Sequence, residues 1–126
     1  MPPPISVYLC DDVPELRALV RFGLEEDSEL IVVGEAGNAR AGIEGVRALR
    51  PDIILLDLSM PDMDGLEAIP ELRAVSPATA IVVFSGFAAD RMRDAALALG
   101  AARYVEKGAP LDSVRATVRE VAGLAA

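Results

Sequence analysis

Residues 52–57 (DIILLD) place the strongest constraint on how this chain can fold. The four central residues are aliphatic without interruption, and an acidic residue stands at each end. A strand with one face in water alternates apolar and polar residues, so an unbroken run predicts a strand that is buried on both faces. Such strands occur in parallel sheets that carry helices on both sides. The segment therefore predicts an α/β fold with these residues at its centre.

The rest of the chain repeats one pattern, a short apolar run followed by a longer amphipathic segment. The apolar runs predict five strands, at residues 5–10, 30–36, 52–57, 80–85 and 102–106. Apolar residues at helical spacing predict five helices, at residues 13–26, 39–49, 65–75, 88–99 and 111–122. Ten alternating elements in 126 residues predict one domain, residues 1–126, with residues 1–4 as a loose tail.

Three local features refine this pattern. Asn38 is expected to cap the second helix, and Arg50-Pro51 to end it. Pro70 falls inside the third helix and removes a backbone hydrogen bond, so that helix is expected to be kinked or to start late. The fifth strand (ARYVE) is shorter and more polar than the others, which predicts a position at the edge of the sheet.

Composition excludes several functional classes. The formal net charge of -8 argues against direct binding to nucleic acid and favours cations, or basic or apolar protein surfaces, as partners. The absence of His excludes His-based metal sites and His-dependent nucleophilic catalysis. The single cysteine, Cys10, excludes a disulfide within the chain and is expected to be a small buried residue. No segment has the length of a membrane span or the pattern of a signal peptide, so a cytoplasmic protein without membrane contact is expected.

Polar side chains follow four of the five predicted strands. Asp11 and Asp12 follow the first strand, Asp57 ends the third, Ser85 ends the fourth and Lys107 follows the fifth. In open α/β sheets, ligands bind at the carboxyl ends of the strands, near the point where the strand order reverses. These side chains are therefore expected to converge on one crevice.

The chemistry of these residues is that of a phosphoryl-acceptor site with a metal ion. Asp11, Asp12 and Asp57 would repel one another in a partly buried site unless a hard divalent cation joined them. Oxygen ligands favour Mg²⁺, with Mn²⁺ as the alternative, and the backbone carbonyl of Ser59 is placed to complete the shell. A carboxylate acts as a phosphoryl nucleophile when a metal and a cation stabilise the charge on the transferring group.

Lys107 is expected to be that cation, and the hydroxyl of Ser85 to donate to a phosphoryl oxygen. Lys107 is the only lysine among 12 basic residues. Chance would explain that count, so its position at the acidic edge carries the argument. Simpler roles are also open for the acidic residues. Asp11 could be a helix N-cap. For Asp62 and Asp64 we prefer the simpler role, that of turn and cap residues.

Together these residues resemble those of a response-regulator receiver domain of two-component signalling, over essentially the whole chain. The features that carry the resemblance are Asp11-Asp12, the segment LLDLSMPDMDG around Asp57, Ser85 followed by Gly86, and Tyr104 three residues before Lys107. The resemblance implies a flavodoxin-like (βα)5 sheet with the strand order 2-1-3-4-5. It also implies that a histidine kinase, or a small donor such as acetyl phosphate, phosphorylates Asp57. The implied Mg²⁺ ligands are Asp12, Asp57 and the Ser59 carbonyl, with Asp11 assisting.

The family's switch implies further roles. When Asp57 is phosphorylated, Ser85 moves toward the phosphoryl group and Tyr104 rotates inward. The face formed by the fourth helix, fifth strand and fifth helix then changes its affinity for a partner or output domain, with homodimerisation as one outcome. Ser59 and Phe87 flank the site and are expected to tune the lifetime of the phosphate. For Tyr104, the alternative is an ordinary edge aromatic.

The chain departs from the family pattern after Lys107. Many receivers have Pro directly after the lysine, whereas here Gly108-Ala109-Pro110 follows, so Gly108 is expected to supply the turn. Residues 32–65 resemble receivers that precede a LuxR-type helix-turn-helix. Regulation of transcription is therefore the expected output, by a single-domain regulator or by part of a longer factor.

Three other interpretations are weaker. An aspartate-nucleophile phosphatase resembles D-x-D at the acceptor strand, and the second position is Ser59 here, so a switch rather than an enzyme is expected. A flavin-binding module needs a hydroxyl- and Gly-rich phosphate loop after the first strand, where Asp11 and Asp12 would repel phosphate. A receiver-like domain that only binds proteins would not need the complete set of site residues.

Overall fold

The computed structural model describes residues 3–125 as one parallel sheet with helices on both faces. The strands are β1 (Ile5–Cys10), β2 (Leu30–Ala36), β3 (Ile53–Leu56), β4 (Ala80–Ser85) and β5 (Arg103–Glu106). The helices are α1 (Pro14–Glu25), α2 (Ala39–Leu49), α3 (Gly65–Val75), α4 (Ala89–Leu99) and α5 (Leu111–Ala125). The strand order is β2-β1-β3-β4-β5, with parallel pairing throughout. The predicted flavodoxin-like fold is confirmed.

The strand predicted from residues 52–57 lies at the centre of the sheet, between β1 and β4. It is shorter than predicted, because Asp52 and Asp57 flank β3 rather than belong to it. All four residues of β3 are buried. Ile54 and Leu56 pack toward α2, α3 and α4, whereas Ile53 and Leu55 pack toward α1 and α5. The unbroken apolar run is thus explained by a helical layer on each face.

Helix boundaries follow the predicted signals with small corrections. The Asn38 side chain accepts a hydrogen bond from the backbone N–H of Ala41 at 2.8 Å, which confirms the predicted cap of α2. That helix ends where Arg50 adopts a left-handed conformation with φ 45°. Helix α3 begins at Gly65 with Pro70 inside it, so the alternative of a late start is wrong. Helix α1 begins at Pro14 because Val13 is extended.

Both ends of the chain lie close to the limits of the described residues. Residues 1 and 2 of the predicted tail lie outside the described residues, and Pro3 and Pro4 are exposed and precede β1. Helix α5 extends past the predicted residue 122 to Ala125. Over the part of the chain that the structure describes, no helix combines the length and apolarity that crossing a membrane requires.

Candidate functional site

The site lies at the carboxyl ends of β1 and β3, where the strand order reverses. After β1 the chain passes to β2 on one side, and after β2 it returns to β3 on the other. The loops that follow β1 and β3 therefore separate at this point and leave an open cleft between them. Six residues line the cleft: Asp12, Asp57, Ser59, Gly86, Phe87 and Lys107. Four strand ends contribute to it: three provide the predicted residues Asp12, Asp57 and Lys107, whereas β4 contributes Gly86 and Phe87.

The three acidic residues meet at this edge. One carboxylate oxygen from each of Asp11, Asp12 and Asp57 lies within 4.8 Å of the other two. Asp11 and Asp57 are buried, whereas Asp12 is exposed. A cluster that offers only carboxylate oxygens, two of them shielded from water, fits a hard divalent cation such as Mg²⁺. The structure therefore provides a cluster that could bind a metal ion.

Lys107 lies against two of these carboxylates. Its Nζ is 2.7 Å from Asp11 Oδ2 and 3.3 Å from Asp57 Oδ2. Burial lowers the pKa of Lys107, but its hydrogen bond to Asp11 and the charges of Asp57 and Asp11 outweigh burial, so the pKa is raised. Lys107 is therefore charged at neutral pH and compensates the acidic cluster.

The Asp57 carboxylate is fixed from two sides. Oδ1 accepts a hydrogen bond from the backbone N–H of Ser59 at 3.1 Å, and Oδ2 faces Lys107. Burial raises the pKa of Asp57 above its ordinary value, against the lowering effects of the Ser59 N–H and the Lys107 charge. The group is thus a partly desolvated carboxylate with one defined hydrogen-bond donor and one cation.

Gly65 allows α3 to begin directly behind Asp57. A Cβ at this position would lie 2.4 Å from Leu58 Cα and 2.9 Å from the carbonyl oxygen of Asp57. Only a residue without a side chain can approach the backbone that closely. Asp64, the residue before it, caps α3 by accepting the N–H of Leu66 at 2.9 Å, which confirms its predicted role.

Ser85, Phe87 and Tyr104 form a linked set beside the cleft. Ser85 is fully buried, and its Oγ accepts the backbone N–H of Phe87 at 3.1 Å. The hydroxyl of Tyr104 donates to the carbonyl oxygen of Phe87 at 2.8 Å. The Phe87 main chain therefore connects Ser85 to Tyr104. Gly86 and Phe87 line the cleft, whereas Ser85 is not among the described residues that line it.

The structure refines the interpretation of two individual residues. Gly108 lies in a turn closed by the Ala109 N–H and the Glu106 carbonyl at 3.0 Å. Its φ is not positive, and an added Cβ would meet nothing within 4 Å, so glycine is not required there. Asp11 does not cap α1: Val13 is the N-cap residue and has no side-chain cap, while Asp11 Oδ1 accepts the Val13 N–H at 2.9 Å.

Cys10 behaves as expected for a buried, unreactive residue. Its side chain is 1% exposed, and burial raises the pKa of the thiol to about 12. A thiolate is the reactive form, so a thiol with this pKa is inert at neutral pH.

Three residues make hydrogen bonds around the site that the sequence did not indicate. Asp62 accepts the N–H groups of Ala39 and Arg40, both at 2.9 Å, and so caps α2 from the loop after β3. Glu106 accepts the N–H of Ala89 at 2.7 Å, and Arg17 donates to the carbonyl of Asp11. Each of these residues is charged, and charge alone does not indicate which backbone group a side chain will contact.

Comparisons with known proteins point to one family. The family model described as the response regulator receiver domain matches residues 7–119. The nitrate/nitrite response regulator protein NarL of Escherichia coli (strain K12) is 41% identical over 121 residues, which are 95% of this chain and 56% of NarL. A structure of the signal receiver domain of NarL from Mycobacterium tuberculosis has 30% sequence identity and a TM-score of 0.91. It covers 97% of this chain, which covers 98% of that domain.

A second kind of relative shares the same region. The protein-glutamate methylesterase/protein-glutamine glutaminase of Nocardioides sp. (strain ATCC BAA-499 / JS614) is 38% identical over 122 residues, which are 94% of this chain and 33% of that enzyme. The chain therefore spans about half the length of the E. coli relative and a third of the length of this one.

Proposed function

The chain belongs to the response regulator receiver domain family, and we propose that it is a phosphorylation-activated switch whose acceptor is Asp57. The observation that carries this proposal is the surroundings of that carboxylate. Asp57 is 3% exposed, lies at the end of the central strand, and shares its cleft with Asp12 and Lys107. A carboxylate in such a place is held ready for in-line attack and is shielded on its other sides.

The transfer step is the same for a phosphohistidine or a small acyl phosphate. A carboxylate oxygen of Asp57 attacks phosphorus, a new P–O bond forms, and the bond from phosphorus to the donor breaks, with its electron pair leaving on the donor. Lys107 compensates charge on the phosphoryl oxygens, and the Ser59 N–H holds Oδ1 in place. The residues that would hold Mg²⁺, or Mn²⁺, are Asp11, Asp12, Asp57 and the Ser59 carbonyl. When bound, the ion neutralises charge on the transferring group.

The proposed readout runs from Ser85 through Phe87 to Tyr104. Because Ser85 Oγ and the Tyr104 hydroxyl both bond to the Phe87 main chain, a shift of Ser85 toward the phosphoryl group disturbs the contact that holds Tyr104. Tyr104 lies on β5, so the affected surface is α4–β5–α5. We propose that this surface controls a partner, a second copy or an output domain.

The partners follow from the family and from charge. A histidine kinase is the proposed phosphodonor in the cytoplasm, and a net charge of -8 disfavours direct contact with nucleic acid by this chain. Similarity to NarL supports transcriptional regulation as the output. Similarity to a methylesterase shows that relatives carry other outputs, which lie outside the region shared with this chain. Ser59, where a phosphatase of the D-x-D type has a second acid, supports a lasting phosphate rather than rapid turnover.

Labelling with acetyl [³²P]phosphate in the presence of Mg²⁺ tests the acceptor. The wild-type chain is expected to incorporate label that is stable to gel filtration, and Asp57→Asn to lose it. Asp52→Asn is the matched control, because Asp52 precedes the same strand at its opposite end and bonds to Ser6 instead. Labelling of Asp57→Asn at the wild-type level would rule out Asp57 as the acceptor.

A further inference from the structure

The Asp12 carboxylate is the one member of the acidic cluster that other side chains do not hold. Asp12 is exposed, and within residues 3–125 its carboxylate makes neither a hydrogen bond nor an ion pair. By contrast, the Asp11 carboxylate is bonded to Val13 and Lys107. The direction of the Asp12 side chain therefore depends on its backbone, and first on the peptide group between Asp11 and Asp12.

Arg17 holds that peptide group. Its Nη1 donates to the carbonyl oxygen of Asp11, which is part of the peptide group that joins Asp11 to Asp12. Its Nε donates to Glu35 Oε1 at 3.0 Å, and Glu35 lies near the carboxyl end of β2. The Arg17 side chain is only 17% exposed. Because the guanidinium is planar and rigid, two bonds in different directions fix its orientation.

We propose that Arg17, anchored by Glu35, is a positioning residue for Mg²⁺ binding, which keeps the Asp12 carboxylate turned toward Asp11 and Asp57. This inference rests on the metal site of the proposed switch. Arg17 does not ligate the ion. It acts through the Asp11 carbonyl, as residues that contact metal ligands rather than the metal do in other sites.

Charge and positioning give opposite signs for the loss of Arg17. A positive charge near a cation site repels the cation, so removing it would strengthen Mg²⁺ binding. If Arg17 positions Asp12, removing it weakens binding in spite of the lost repulsion. The direction of the change therefore separates the two effects.

Arg21 is a matched control on the same helix. It lies about one turn after Arg17 and forms an ion pair with the same carboxylate, Glu35, at 2.5 Å. Within the described part of the chain it has no contact with the Asp11–Asp12 loop; its other partners are Glu25 and the Val32 carbonyl. Like the loss of Arg17, Arg21→Gln removes one positive charge from α1 and one ion pair from Glu35. It does so without changing a contact to the Asp11–Asp12 loop.

Calorimetric titration with MgCl₂ tests the inference on wild type, Arg17→Gln, Arg17→Lys and Arg21→Gln. Both Arg17 variants are expected to bind Mg²⁺ about tenfold more weakly than wild type, which is the scale for residues that orient metal ligands. Lysine keeps the charge but lacks the planar fork, so it cannot reproduce both bonds. Arg21→Gln is expected to bind Mg²⁺ as tightly as wild type or more tightly.

The outcomes separate this inference from the proposed function. Mg²⁺ affinity in both Arg17 variants equal to that of wild type, or of Arg21→Gln, would overturn the inference and leave the metal site intact. Failure of the wild type itself to bind Mg²⁺ would overturn the metal site and the inference together. Urea unfolding of each variant in EDTA shows whether it is folded. If Arg17→Gln is unfolded, the Mg²⁺ affinity of Arg17→Lys decides the result.

Discussion

The ammonium group of Lys107 lies nearer to Asp11 than to the proposed acceptor: Nζ is 2.7 Å from Asp11 Oδ2 and 3.3 Å from Asp57 Oδ2. A metal ion bound by the acidic cluster would therefore compete with the lysine for the same carboxylate oxygens. Lys107 has two effects on the site, because it compensates charge at Asp57 and also occupies part of the acidic cluster.

Lys107→Gln is therefore expected to strengthen Mg²⁺ binding by roughly tenfold, or about 1.4 kcal/mol, and to weaken phosphoryl incorporation. Removing the ammonium leaves three carboxylates without a neighbouring cation, so their attraction for Mg²⁺ is no longer offset by the lysine charge. Calorimetry measures the first effect and acetyl phosphate labelling the second. Lys107→Arg keeps the charge and is the control. Weaker Mg²⁺ binding by Lys107→Gln would contradict the competition.

Asp11 and Asp12 are expected to differ in what their loss costs. Asp12 is exposed, and within residues 3–125 its carboxylate makes no hydrogen bond or ion pair, so Asp12→Asn should lower Mg²⁺ affinity at least tenfold with little change in the free energy of unfolding. Asp11→Asn removes a buried partner of Lys107 and should also change stability. Calorimetry and urea unfolding in EDTA separate the two effects. Unchanged Mg²⁺ affinity in Asp12→Asn would argue against Asp12 as a ligand.

The sequence predicted those parts of the site that depend on strand ends. Asp57 was found because the run before it is buried on both faces, a condition that leaves a local pattern. The local turn-and-cap interpretation of Asp62 does not indicate its partners, because the amides that it caps lie 22 and 23 positions earlier in another βα unit. The hydrogen bond from Arg17 to the Asp11 carbonyl could not be predicted for a related reason. The sequence of a helix does not indicate which backbone group an arginine on it will contact. Gly108 lies in the expected turn, but its φ is not positive, so the turn does not require glycine.

Tyr104→Phe is expected to lower the free energy of unfolding by about 1 kcal/mol or less, because it removes one partly exposed hydrogen bond to the Phe87 carbonyl. If Phe87 couples Ser85 to Tyr104, the variant should also respond less to beryllofluoride, measured as self-association by gel filtration. Tyr8→Phe is the control, because the Tyr8 hydroxyl forms no hydrogen bond with other described residues. An identical beryllofluoride response in Tyr104→Phe and wild type would argue against the coupling.

Asp62 gives a pH-dependent prediction. Hydrogen bonds from the N–H groups of Arg40 and Ala39 hold the pKa of Asp62 below its ordinary value. A carboxyl group whose pKa is lower in the folded than in the unfolded state stabilises the fold above the unfolded pKa. That stabilisation is lost as the pH falls below about 4, through the folded pKa. The cap on α2 should therefore weaken in acid.

Asp62→Asn removes this charge and leaves a side chain whose single oxygen cannot accept both amides in the same geometry. The variant should melt at a lower temperature than wild type at pH 7, and the difference should shrink toward pH 3, because the stabilisation by the Asp62 charge is lost as the pH falls below the unfolded pKa and through the lowered folded pKa. Thermal unfolding followed by circular dichroism measures it. Asp90→Asn, which changes an exposed acid in the first turn of α4, should show a smaller dependence on pH. Equal melting differences at pH 7 and pH 3 for Asp62→Asn would mean that the charge of Asp62 does not hold the loop after β3 to α2.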